Sequence, residues 1–201
     1  MKKLIYLFIV LLMFSRPVLA DDLQDVDALV KGKVNAVISL LKRTDIDKKE
    51  RNRRILDIVK PFINFEQMAK LSLGKKHWLG ISKEKRQEYS RLFVKRLEES
   101  YIEKLDLYSN EDVVFYEPKQ VRKKIHVLTS LDSKNGKVDM LYKLYRSKKG
   151  WQVYDVEVLG VSIVQTYRSQ FNGILQKGNI DDLLAKLQTG EIALPVDKRQ
   201  P

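Results

Sequence analysis

The hydrophobic period of this 201-residue chain changes twice, and no other feature constrains its fold as tightly. From Val26 to about Tyr108 apolar residues recur at steps of three and four, from Asp112 they alternate, and from Val161 the helical spacing returns. Helices, then an antiparallel sheet, then helices describe an α+β domain. There are no internal repeats and no low-complexity linkers.

The first predicted helix carries Val26, Leu29, Val30, Val34, Val37, Leu40 and Leu41 on one stripe, with Asp21, Asp22, Asp25 and Asp27 near its positive end. A polar break at Thr44 to Asp47 precedes a short helix bearing Ile55, Leu56 and Val59, which Pro61 is expected to end. Asn64 to Leu73 is helical again and closes at Gly74. Ser82 is placed to cap the longest helix, about Lys83 to Tyr108, whose stripe is Tyr89, Leu92, Phe93, Leu97, Tyr101, Leu105 and Tyr108. Four strands follow, Asp112 to Glu117, Arg122 to Asp132, Lys137 to Ser147 and Gly150 to Ile163, separated by Pro118, Asn135-Gly136 and Lys148-Lys149-Gly150. A four-stranded meander is the economical topology. Two helices close the chain: Val161 to Gln176, and Ile180 to Gln188 entered through Asn179.

The N-terminus has the three zones of an export signal: basic Met1-Lys2-Lys3, an apolar run from Leu4 to Phe14, and Val18-Leu19-Ala20 before two aspartates. Residues 1–20 are therefore expected to be a cleavable signal peptide, 21–190 a single domain, and 191–201 a loose tail. The apolar run is shorter than the roughly 20 residues needed to span a bilayer. With no cysteine, neither disulfides nor a lipid anchor enter the account, and hydrophobic burial must hold the domain together. The formal charge of +12 falls to +9 once Lys2, Lys3 and Arg16 leave with the peptide. Export redirects that basic surface from nucleic acid toward anionic lipid headgroups or acidic proteins.

Catalytic patterns are sparse. His77 and His126 stand in unrelated segments, and no zinc-protease, phosphate-loop or nucleophile-elbow motif is present. Asp155 and Glu157 share one strand face, where pairing with cations is the plainer expectation than acid–base work. Ser162 has no histidine near it in sequence. The aromatic stripes could fill a core or line a cavity between sheet and helices, and patterning leaves both open.

Two longer runs are more specific. Asn64-Phe65-Glu66-Gln67-Met68-Ala69-Lys70-Leu71-Ser72-Leu73-Gly74 with Trp78, and the stretch from Gly150-Trp151-Gln152-Val153-Tyr154-Asp155-Val156 through Gly160-Val161-Ser162 to Tyr167-Arg168-Ser169-Gln170-Phe171, resemble the two signatures of the MlaC (toluene-tolerance) family of periplasmic phospholipid-binding proteins. Asn64 stands where the family commonly has Asp, and Ile163 where Leu is frequent.

The resemblance implies an α+β fold distantly like the nuclear-transport-factor type, enclosing an apolar pocket for acyl chains. It implies no cofactor beyond bound phospholipid as cargo, no catalysis, and no nucleic-acid partner. It also implies shuttling between an outer-membrane MlaA–porin complex and an inner-membrane MlaFEDB transporter with its MCE-domain ring, maintaining lipid asymmetry. Expected pocket residues are Phe65, Met68 and Leu71, then Phe93, Leu97 and Tyr101 on the long helix. The strands add Val127, Met140, Tyr142, Leu144, Val156 and Val158, and the next helix adds Val164, Tyr167 and Phe171. An envelope adaptor with a solid core is the alternative, and a small hydrolase using Asp155 and Glu157 a third reading.

Overall fold

The structure, a computed structural model, describes residues 18–102, 112–133 and 136–192. Most of the predicted export signal, Leu105 and Tyr108 of the predicted long helix, Asn135 of the turn pair and nearly all of the tail lie outside the described residues. Helices α1 (Val18–Leu41), α2 (Lys48–Phe62), α3 (Phe65–Leu73), α4 (Lys75–Gly80) and α5 (Lys83–Ile102) precede the sheet. The strands are β1 (Asp112–Phe115), β2 (Lys119–Val121), β3 (Lys124–Ser133), β4 (Gly136–Ser147), β5 (Gly150–Val158) and β6 (Val161–Ser162). Helices α6 (Ile163–Lys177) and α7 (Ile180–Thr189) follow. Among the described residues, no helix is long and apolar enough to cross a membrane.

Local chemistry sets most of these boundaries. The Asp47 carboxylate accepts from the Glu50 amide at 2.8 Å to start α2, and Ser82 Oγ accepts from the Lys85 amide at 3.2 Å to start α5. At α7 the Asn179 side chain accepts from the amides of Asp181 and Asp182, and the Asp182 carboxylate accepts from the Asn179 amide at 2.8 Å, closing a capping box.

The sheet is antiparallel, ordered β1-β3-β4-β5-β6, with β2 also paired to β3. Six strands stand where four were expected. Pro118 cannot donate to a ladder, so the first edge is divided into β1 and β2, both lying along β3. The last expected strand is divided at Leu159-Gly160, whose φ values of 52° and 79° make a two-residue reversal into β6.

The helices depart from expectation in four places. α2 runs through Pro61 and stops at Phe62, since a proline in the last turn removes only one donor. The short α4 was not expected. α6 begins at Ile163 rather than Val161, because Val161 and Ser162 pair with β5 first. α1 begins at Val18, ahead of the expected cleavage point, and Asp22 near its start holds Arg146 of β4 at 2.7 Å.

One hydrophobic core joins α1, α3, α5, α6 and α7 to a single face of the sheet. Its centre is aromatic: Phe93 lies 5.3 Å from Tyr167 and 5.9 Å from Tyr89, and Phe171 lies 5.5 Å from Tyr167. These edge, stacked and tilted ring contacts, measured between ring centres, add roughly 0.5–1.5 kcal/mol per pair beyond burial itself.

Candidate functional site

Each long strand sends alternate side chains to the helix-covered face, and cross-strand register sorts them into rows. Ile125, Leu144 and Val153 form the first row and are all but inaccessible, at 3%, 0% and 0% exposure. In the second, Val127 and Val156 are buried while Tyr142 between them is half-buried. In the third, Thr129 is buried and Met140 and Val158 are half-buried. Beyond it Leu131 and Val138 pair, both half-buried, and β1 contributes Val113 opposite Leu131 and Phe115 opposite Thr129. Apart from Thr129 the face stays apolar along these rows, and its burial falls from the first row to the last.

Two tyrosines packed against this core are enclosed only in part. Tyr101, near the end of α5, and Tyr142 both pack against the core and remain half-buried. Desolvation nevertheless pushes both phenols above the ordinary tyrosine value. Both rings are thus largely desolvated by the protein while keeping some exposure to solvent. The Tyr142 hydroxyl meets Met140 Sδ at 3.8 Å, a soft contact beside the buried Thr129.

All fifteen residues expected to line a pocket belong to this one core or pack against it. They fall into two groups. Met68, Phe93, Leu97, Val127, Leu144, Val156, Val164, Tyr167 and Phe171 are buried in the sealed part. Phe65, Leu71, Tyr101, Met140, Tyr142 and Val158 are half-buried beside it. Val113, Phe115, Leu131 and Val138, which were not among the expected residues, continue the same sheet face. Their signal was present, since each continues the two-residue alternation of its strand.

The two sequence signatures build the sealed end. Asn64 caps α3 through its Oδ1, accepting from the Gln67 amide at 2.9 Å, and its Nδ2 donates to Tyr145 Oη at 2.6 Å and Gln152 Oε1 at 3.0 Å. Gly74, at φ 80°, joins α3 to α4 with the Arg168 guanidinium 3.5 Å from where a Cβ would stand. Tyr89 Oη donates to the Ala69 carbonyl at 3.2 Å, tying α5 to α3.

The polar cluster on β5 is part of the same frame. Asp155, 4% exposed, accepts from Ser162 Oγ at 2.7 Å, the Val164 amide at 3.1 Å and Lys143 Nζ at 3.2 Å, and Lys143 also pairs with Glu157. Ser162 in turn accepts from the Gln165 amide at 3.0 Å, which makes it the cap of α6. The cation expected beside Asp155 and Glu157 is thus Lys143. His126 pairs with Lys143 across β3 and β4, and desolvation, then the Lys143 charge, lowers its pKa. His77 lies apart, half-buried on α4.

A second concavity lies on the outer side of the helices. It is a groove of about 1160 Å³ between α3 and α5, walled mostly by polar and charged side chains, with Trp78 and Tyr145 among its lining residues.

Comparison with known proteins adds a family and a fold. The family model described as "MlaC protein" matches residues 31–189. The intermembrane phospholipid transport system binding protein MlaC of Haemophilus influenzae is 30% identical over 134 residues, which are 64% of this chain. The match spans 62% of that relative's length. A solved phospholipid-binding protein from Ralstonia solanacearum, in complex with a phospholipid, superposes with a TM-score of 0.73 at 22% identity, covering 81% of this chain and 94% of that one. At that identity the likeness speaks for the fold.

Proposed function

Because this chain belongs to the MlaC family, we propose that it is a periplasmic phospholipid carrier whose acyl-chain site is the open end of the apolar sheet face. The observation that carries this reading is that Met140, Tyr142 and Val158 on the sheet face, and Tyr101 on α5, pack against the core and stay half-buried. Apolar surface of this kind is costly to leave against water, at roughly 25 cal/mol per Å². An acyl chain laid along it would remove that cost. The fold shared with a phospholipid-bound protein supports the same reading.

The physical need for a carrier is large. At about 0.8 kcal/mol per buried methylene, a lipid with about thirty of them costs on the order of 20 kcal/mol to place in water. Monomer diffusion is therefore negligible, and transfer proceeds by contact with a partner that offers an equivalent apolar path. In this proposal the export signal delivers the chain to the periplasm, and its partners are the MlaA–porin complex at the outer membrane and the MlaFEDB complex at the inner one. Energy input belongs to the transporter; the carrier contributes differential affinity alone.

A plug tests the site. On this reading Val158, half-buried in the third row, meets the acyl chain, so Val158→Trp should occupy that space while leaving the buried rows intact. Lipid extracted from the purified variant should fall to under about a fifth of the wild-type amount, with thermal unfolding still cooperative. Undiminished lipid in a folded variant would remove this face as the binding site.

A further inference from the structure

The outer groove has a chemistry that the core does not. Its long wall is one face of α5 from Lys83 to Glu98, a run of about 22 Å at 1.5 Å per residue. Lys83 and Arg91 on that wall, and Lys70 on the facing α3, are exposed and form no ion pair among the described residues. Arg86 is held by backbone carbonyls rather than a carboxylate, donating to Trp78 O at 2.7 Å and Leu79 O at 3.3 Å with its guanidinium over the Trp78 ring. Its charge is consequently fixed in place and not neutralised. Of the two acids in the groove, Glu98 is engaged by Lys60 at 2.9 Å, which leaves Glu66 as the other counter-charge.

We propose that this groove is a docking site for an acidic, elongated segment of a protein partner. Three arguments select that occupant. Four cations without carboxylate partners lie along a concave channel, so the complementary ligand is anionic. The channel is about four helical turns long, far more than one phosphate or headgroup would occupy. A bilayer surface is flat and engages convex basic faces, whereas these cations flank a depression between two helices. The groove lies on the far side of α3 and α5 from the buried Met68, Ala69, Phe93 and Leu97, so docking and cargo are separate properties of the same two helices.

The test uses the full mature chain and a fluorescent, glutamate-rich helical peptide of about 15 residues, read by anisotropy at low and moderate salt. The double variant Lys83→Glu with Arg91→Glu should weaken binding by about tenfold, and Lys70→Glu on the opposite wall should weaken it independently. Lys148→Glu with Lys149→Glu, the same charge change on the β4–β5 turn, should leave binding within about twofold. Equal losses in groove and turn variants would mean that only net charge matters, and the proposal would fail. It would fail equally if the peptide did not bind, or if vesicles of phosphatidylglycerol bound in its place and lost binding in the groove variants. Lipid extracted from the same samples reports on cargo separately, so a defect in loading cannot be mistaken for one in docking.

Discussion

The Asp155 carboxylate receives a serine hydroxyl, a backbone amide and a lysine ammonium while almost wholly buried, and so joins β4, β5 and the start of α6 through one charge. A buried carboxylate persists only where its lone pairs are used in this way. Asn64 shows the same economy with neutral chemistry, and its two amide donations to Tyr145 and Gln152 are ones a carboxylate could not make. Asn at this position is therefore matched to its own neighbours. His126 lies in the same region, opposite Lys143. Burial first, and then the Lys143 charge, disfavour its protonation; Glu157 opposes them, Lys124 adds a smaller push downward and Asp155 a still smaller one upward. Its folded-state pKa is thus below the unfolded value of about 6.5. As pH falls through that value the unfolded chain takes the proton first, and stability drops until the folded value is passed. Urea midpoints measured at about pH 7.5 and pH 5.5 should fall more for wild type than for His126→Gln; equal falls would contradict the assignment.

Elements whose limits are set by neighbours in sequence were legible, and those set by distant contacts were not. Asn64, Ser82 and Asn179 announce their helices because a cap needs only the next three residues. The start of α6 depends instead on Asp155 and on the pairing of Val161 and Ser162 with β5, which helical spacing cannot register. α4 and β2 span six and three residues, too few for a period to emerge. Alternation also gave the apolar face of each strand without telling how far the helices cover it. The expected pocket residues accordingly divide into nine that are buried in the core and six that are half-buried beside it, with Val113 and Leu131 continuing the same face. The β5–β6 reversal offers a clean test of element geometry. Gly160 has φ 79°, and a Cβ there would meet nothing within 4 Å, so Gly160→Ala should cost about 1 kcal/mol through backbone conformation alone. An unchanged chemical-denaturation midpoint would show that the turn relaxes instead.

At the scale of the whole molecule, two surfaces of one set of helices have opposite characters. The inner faces of α3 and α5 join an apolar core that opens along the sheet, and their outer faces form a basic groove. A carrier needs both, because cargo that costs on the order of 20 kcal/mol to expose to water can leave only where a partner is already in contact. Under the proposed function, the basic groove serves encounter with a partner and the half-buried rows of the sheet serve retention of cargo. The central claim is that these rows hold acyl chains. Native mass spectrometry of the full-length protein, expressed with its export signal and purified from the periplasm without detergent, tests it most directly. The account predicts a dominant species heavier than the processed chain by the mass of a two-chain phospholipid, released on activation. A uniformly unliganded species that remains folded and takes up no phospholipid from vesicles would contradict it.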